Sequence, residues 1–239
     1  MADLDFYFDP VCPFAWMTSK WVRLVADRRS YQVEWRFISL RLVNAEADYA
    51  TEFPAGYERS HTAGLELLRV AAAVRASRGP AAVGPVYAAY GAELFDSGPG
   101  HQEHLERDPA GFAAGILAGL GLPVGLAESA SDASFDPEIR AETDRALSLT
   151  GKGVGTPILH FEPPGGTALF GPVISRLPRP DEALELWEHV VALARFGGFA
   201  ELKRSLRETP QLAAFGRVEG DVEAKGDCQG GHRHESAGT

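Results

Sequence analysis

The stretch DFYFDPVCPFAWMTSKW, residues 5–21, constrains the fold more than any other. Residues 4–8 are short, apolar and aromatic, the pattern of a buried strand. Pro10 breaks that strand. Pro13 then stands where a helix best accepts proline, at its first position, because that N–H would be unpaired anyway. Phe14, Met17, Trp21 and Leu24 recur at spacings of three and four and form one apolar helical face. Arg28 and Arg29 fall in the last turn, where cations complement the helix dipole. In the following segment Val33, Trp35 and Phe37 alternate with Gln32, Glu34 and Arg36, a strand with one wetter face. The chain therefore begins strand, helix, strand.

Between about residues 54 and 151 the pattern turns helical. Leu65, Leu68 and Ala72 make one stripe, and Tyr87, Tyr90 and Leu94 another. Asp108-Pro109 opens a third helix carrying Phe112, Ile116 and Leu120; Asp136-Pro137 opens a fourth carrying Ile139, Thr143 and Ala146. Strand character returns at TPILHF, residues 156–161, and TALFG completes a hairpin across the loop EPPGG. Residues 181–195 read as a helix with Leu184, Trp187, Val191 and Ala194 inward, followed by a short helical piece over residues 199–206. From about residue 216 the chain is polar and glycine-rich, with too few apolar residues to bury, and reads as a disordered tail. Two strand-rich ends around a helical middle predict one α/β core, residues 1–53 with 152–215, interrupted by a helical subdomain at 54–151 and followed by the tail at 216–239.

The 239 residues suffice for a core that needs no disulfide or metal. The balance of 23 basic against 33 acidic residues, a net of −10, opposes polyanions over most of the surface. Nucleic acid and anionic membrane are therefore not expected partners. The N-terminal ten residues have neither a basic segment nor an apolar one of the kind a signal peptide carries, and no run reaches the roughly 18 apolar residues of a membrane span. With only two cysteines, Cys12 and Cys228, there is no disulfide framework, and a cytoplasmic protein with reduced thiols is expected.

Cys12 is the chemical focus. It falls at the carboxyl end of a strand, where ligands of open α/β sheets bind, and at a helix N-terminus. Unpaired N–H groups and the positive dipole end there lower thiol pKa values from about 8.5 toward about 3.5–7.5. The alternative is a buried, inert cysteine acting as a small hydrophobe. Thr156-Pro157 lies where a strand begins, and its residues alone favour an ordinary trans proline at a strand entrance.

An N-terminal Cys-Pro motif after FDP, a helical interruption, and GTP opening a strand together resemble the DsbA-like branch of the thioredoxin superfamily. That branch includes kappa-class glutathione transferases and 2-hydroxychromene-2-carboxylate isomerases. FDPVCPFAWMTSKW, VGTPILHF, LFGPVISRLPRPDEALELW and FAELKRSLRETPQ are more closely similar to its mycothiol-dependent reductases, including the nitroreductase type. The similarity runs from about residue 4 to 211. It implies a thioredoxin fold with a large α-helical insertion, Cys12 as nucleophile and Pro157 as a cis-proline beside it. Thr156, with Gly155 before it, would offer its backbone to a bound thiol. Pro13, Phe14 and Trp16 occupy motif positions that shape the pocket, although Phe14 and Trp16 read equally as core residues, and Gly171 would border the small thiol.

The sequence departs from the dithiol members at Ala15, which stands where the second cysteine would be. No disulfide can close within CPFA. A monothiol cycle remains, in which Cys12 becomes S-thiolated and a second small thiol releases it. The implied cosubstrate is a low-molecular-weight thiol, mycothiol or glutathione, with no tightly bound cofactor. The implied partner is a small electrophile or mixed disulfide, and a homodimer is compatible with the scaffold. A thiol-dependent transferase or isomerase is the alternative, and a non-enzymatic binding module a further one.

Other features carry less. Cys228, His232 and His234 give C-x3-H-x-H on the tail, one ligand short of a structural zinc site. Cys228 is also within reach of Cys12, since a dozen extended residues span roughly 40 Å at about 3.3–3.6 Å each. His101 and His104 read as a solvated loop of the insertion near the cleft.

Overall fold

The structure, a computed structural model, describes residues 2–151, 153–204 and 208–217. Cys228, His232, His234 and almost all of the expected tail lie outside the described residues. Strand β1 (Leu4–Phe8) is buried along its whole length, and α1 (Pro13–Arg29) follows it at once. Strand β2 (Val33–Phe37) then pairs with β1 in parallel, Phe6 facing Trp35 across the register. Strands β3 (Ile158–Phe161) and β4 (Ala168–Phe170) form the predicted hairpin, β3 running antiparallel to β1. The sheet order is β2-β1-β3-β4. Strand β1, which delivers the chain to Cys12, is one of its two inner strands.

Alternation along β1 divides the faces. Leu4, Phe6 and Phe8 join the main core, while Tyr7 belongs to a smaller one with Ile38, Ala146 and Ile158. On the main side, α1 packs with α9 (Glu182–Arg195), and Trp21, Trp187 and Phe161 meet edge-on or tilted. Helix α1 buries residues on more than its predicted stripe, including Ala15, Thr18 and Ser19, because it is enclosed on several sides.

Between β2 and β3 lie short α2 (Leu40–Val43) and α3 (Tyr49–Glu52), then α4 (Tyr57–Arg78), α5 (Val83–Gly91), α6 (His101–Arg107), α7 (Pro109–Gly119) and α8 (Asp136–Thr150). Asp108 caps α7 as expected, accepting from the Gly111 N–H at 2.9 Å. Asp136 differs: it is the first residue of α8, and its carboxylate grips Arg69 through two bonds of 2.7 and 2.8 Å. Helix α4 is buried on most of its circumference and forms the axis of this helical block.

Three expectations change. Helix α8, inside the span read as insertion, packs on the sheet: Ala146 joins Tyr7 and Ile158, and Thr143 Oγ1 accepts from Ser39 N–H at 3.1 Å. His101 and His104 stand on α6 rather than in a loop, His101 paired with Glu93 and His104 against the ring of Phe112. The helical piece expected over 199–206 is not helical over residues 199–204, and 205–207 lie outside the described residues. Leu202 there is exposed, so no buried face rewards a helix nucleus. Among the described residues no helix is long and apolar enough to cross a membrane.

Candidate active site

Strand β1 ends at Phe8, and the next four residues make a tight turn closed by the Cys12 N–H on the Asp9 carbonyl at 3.1 Å. Cys12 is the N-cap of α1, and Pro13 occupies its first turn. The sulfur accepts from the Ala15 N–H at 3.4 Å and donates its own hydrogen to the Thr156 carbonyl at 3.5 Å. These two bonds oppose one another chemically. An N–H pointing at sulfur favours thiolate, whereas the bond to Thr156 exists only for the thiol.

Thr156 and Pro157 enter from the other half of the chain. Their peptide bond is cis, and the Thr156 hydroxyl donates to the Tyr7 carbonyl at 3.1 Å, tying the turn to β1. Gly171, with φ +90, donates its N–H to the Pro157 carbonyl at 2.8 Å; it too precedes a cis proline, Pro172. The Pro172 carbonyl accepts from the Thr18 hydroxyl at 2.8 Å, which returns the network to α1. Cys12, Pro13, Thr156, Pro157 and Gly171 thus lie in one bonded network, with Gly155 next to Thr156 and facing Leu40.

Phe14 is half-buried beside the motif, but Trp16 is 4% exposed and belongs to the core. Its N–H donates to Asp96 at 3.3 Å, its ring meets Tyr87 edge-on, and Lys20 stacks over it while binding Asp96 at 2.8 Å. Asp96 reaches it from a π-helical turn (Ala92–Asp96) that continues α5, and such turns concentrate at functional sites. The backbone of Gly91 lies against the indole, where a Cβ would stand 2.1 Å from a ring carbon. The sequence pattern singled out neither Gly91 nor Asp96. Their only signal there was the Tyr87–Tyr90–Leu94 stripe, which in fact spans a change of helix type.

Electrostatically the site departs from expectation. Cys12 is 8% exposed, and burial pushes its thiol up to about 12, against the opposing pull of the Ala15 and Phe14 N–H groups and with the Asp9 carboxylate adding to the rise. The expected lowering at a helix N-terminus is outweighed because desolvation penalises the anion. Two open cavities of about 400 and 380 Å³ lie elsewhere: one behind the sheet by Asp5, Arg36 and His160, the other along α1 between Lys20, Asp96 and Arg217. Neither includes Cys12. Among the described residues no group of three His, Cys, Asp or Glu side chains could hold a metal ion.

A thiol at the N-cap of the helix that follows a central strand, beside a proline-bearing turn, defines a thioredoxin-fold protein of the DsbA-like class. Residues 11–204 match the Rv2466c-like family, described as mycothiol-dependent nitroreductase Rv2466c, and the chain belongs to that family. It is 34% identical over 205 residues to the uncharacterized protein Rv2286c of Mycobacterium tuberculosis (strain ATCC 25618 / H37Rv), covering 85% of this chain and 82% of that one. It is also similar to solved structures. A 2-hydroxychromene-2-carboxylate isomerase has a TM-score of 0.50 at 17% identity, over 80% of this chain and 96% of that one. The cytosolic disulfide reductase DsbM from Pseudomonas aeruginosa has a TM-score of 0.49 at 18% identity, over 80% and 99%. The isomerase likeness shows the fold. The family is one of thiol-dependent oxidoreductases, and the likeness to solved structures adds the thioredoxin-type fold.

Proposed function

We propose that this protein is a monothiol oxidoreductase in which Cys12 exchanges with a low-molecular-weight thiol, mycothiol first and glutathione second. The observation that carries the reading is the Cys12 sulfur itself, held between the Ala15 N–H and the Thr156 carbonyl with alanine in the resolving position. A substrate amide that takes the Thr156 carbonyl removes the acceptor of the thiol hydrogen, and the Ala15 N–H then favours thiolate. After losing its proton to solvent, the Cys12 sulfur attacks one sulfur of a mixed disulfide. A new S–S bond forms, the old one breaks, and the departing thiolate takes up a proton. A mycothiol thiolate then attacks the Cys12 adduct, forming the outgoing disulfide and restoring Cys12. The substrate disulfide is the oxidant and mycothiol the reductant, so the protein ends unchanged.

A second reading follows from the burial of the thiol. If Cys12 stays protonated through the cycle, it donates a hydrogen bond to the sulfur of a bound small thiol, and the reaction is a transfer or isomerisation that this thiol performs. Incubation with mycothiol disulfide or glutathione disulfide, followed by intact mass, separates the two. The exchange reading predicts one adduct on Cys12, reversed by excess thiol and missing from Cys12→Ser. If neither disulfide modifies Cys12, exchange is excluded and the donor reading stands.

A further inference from the structure

The sheet face that bears the smaller core, with Tyr7 and Ile158, continues into a row of polar side chains. In the strand register Asp5 of β1 stands opposite Glu34 of β2 and His160 of β3, and Tyr7 stands opposite Arg36 in the next row. With Glu142 and Arg145 of α8, these residues line the open cavity of about 400 Å³ behind the sheet. Such a volume suits a small organic molecule. The floor is formed by Asp5, Tyr7 and His160, all buried, and the charged side chains of β2 and α8 stand around it. A buried sheet face that only packed would carry apolar residues at these positions.

Asp5 is the group left short of donors. Its side chain is 9% exposed, and its ion-pair partners stand off: Arg36 Nε lies 3.5 Å from one oxygen and His160 Nδ1 3.8 Å from the other. Both distances are long for a hydrogen bond. Arg36 also leans on Glu34 at 3.5 Å and Glu142 at 3.4 Å, so its charge is spread over three carboxylates. His160 backs Asp5, and neither ring nitrogen has a hydrogen-bond partner among the described residues. Burial favours the neutral ring, against Asp5 and the Gly166 backbone. A buried carboxylate without close donors is costly. The charge around the cavity is unbalanced in the same sense, the carboxylates of Asp5, Glu34 and Glu142 facing the guanidiniums of Arg36 and Arg145. Among the described residues no three such ligands converge as a metal ion requires. The missing complement is therefore a positive charge that carries N–H groups.

We propose that the cavity behind the sheet is a binding site, apart from Cys12, for a small primary amine whose ammonium group seats on the Asp5 carboxylate between Glu34 and His160. The test is a titration of full-length, 15N-labelled protein at neutral pH with butylamine, and in parallel with tetramethylammonium, which has the same charge but no N–H. Butylamine is expected to shift the amides of Asp5, Glu34 and His160 saturably, with a dissociation constant of about 1–10 mM. Tetramethylammonium should bind about tenfold more weakly or less, because it cannot donate to the carboxylate. Asp5→Asn keeps the shape of the side chain and should weaken butylamine by about tenfold or more. Glu34→Gln, at the more exposed rim, should weaken it by about threefold. Absence of saturable shifts at these amides, equal affinity for tetramethylammonium, or an Asp5→Asn variant that binds as wild type does overturns the proposal. Should Asp5→Asn fail to fold, Glu34→Gln and the comparison of the two cations decide. Cys12 takes no part in this titration, so its outcome is read separately from S-thiolation.

Discussion

The behaviour of Cys12 is decided by two scales of force at one atom. The helix N-terminus offers an N–H and a favourable dipole, worth about 0.3–2 kcal/mol. Enclosure costs the thiolate more than that, and the bond to the Thr156 carbonyl adds to the preference for thiol. Trp16, packed on Gly91 and bonded to Asp96 of the π turn, anchors the first turn of α1. Gly91→Ala would drive a methyl into the indole of Trp16, so it should destabilise the protein by about 1–3 kcal/mol as an overpacked core does. Urea unfolding measures this, and an unchanged midpoint would show that the helix has room to retreat. Local patterns mark Cys12 at a strand end and helix start and Thr156-Pro157 at a strand entrance, but the residues alone favoured a trans proline there, and the cis turn beside Cys12 came only from the family resemblance. The burial of the thiol was not legible. Nor were the close approaches of Gly64 to Asp9 and of Gly91 to Trp16, which join parts of the chain distant in sequence.

At the scale of elements, strong periodicity marks an element in the sequence, whereas the partner it packs on leaves no local mark. Strands β1, β2 and β3, the hairpin and helices α1 and α9 follow directly from apolar spacing and proline placement. Helix α8 could be found but not assigned: nothing in Ile139, Thr143 and Ala146 says that Ile139 joins the main core while Ala146 packs on the sheet with Tyr7 and Ile158. The domain line drawn at residue 151 therefore separates α8 from the sheet it covers. The Tyr87–Tyr90–Leu94 stripe has helical spacing, and spacing of that kind cannot announce that i to i−5 hydrogen bonds take over after Gly91. Residues 199–204 fail for the opposite reason. Their side chains favour helix, but an isolated piece with Leu202 in water has nothing to nucleate against.

At the scale of the whole molecule, two buried groups set opposing responses to acid. Asp9 is raised to about 7 by burial, so its stabilising contribution is complete below its ordinary value near 4 and is lost as pH rises through about 7. His61 is lowered to about 4 by burial and by the Arg41 charge, so its contribution is complete above about 6.5 and is lost as pH falls through about 4. Between pH 7 and 4 the first gains while the second fades. Asp9→Asn removes only the gain, and its melting temperature should fall more steeply on acidification over that range than that of wild type. Parallel slopes would mean that Asp9 keeps an ordinary pKa in the fold.

The central claim is that the protein supplies one thiol and solution supplies the second. It is tested most directly by preparing the Cys12–mycothiol mixed disulfide in full-length protein and following its release by intact mass as added mycothiol is varied. The account predicts a release rate proportional to mycothiol, extrapolating to zero without it, because Ala15 leaves nothing within the motif to displace the adduct. Release at a rate independent of mycothiol, with a Cys12–Cys228 disulfide appearing in step, would contradict it and make the protein its own resolving partner.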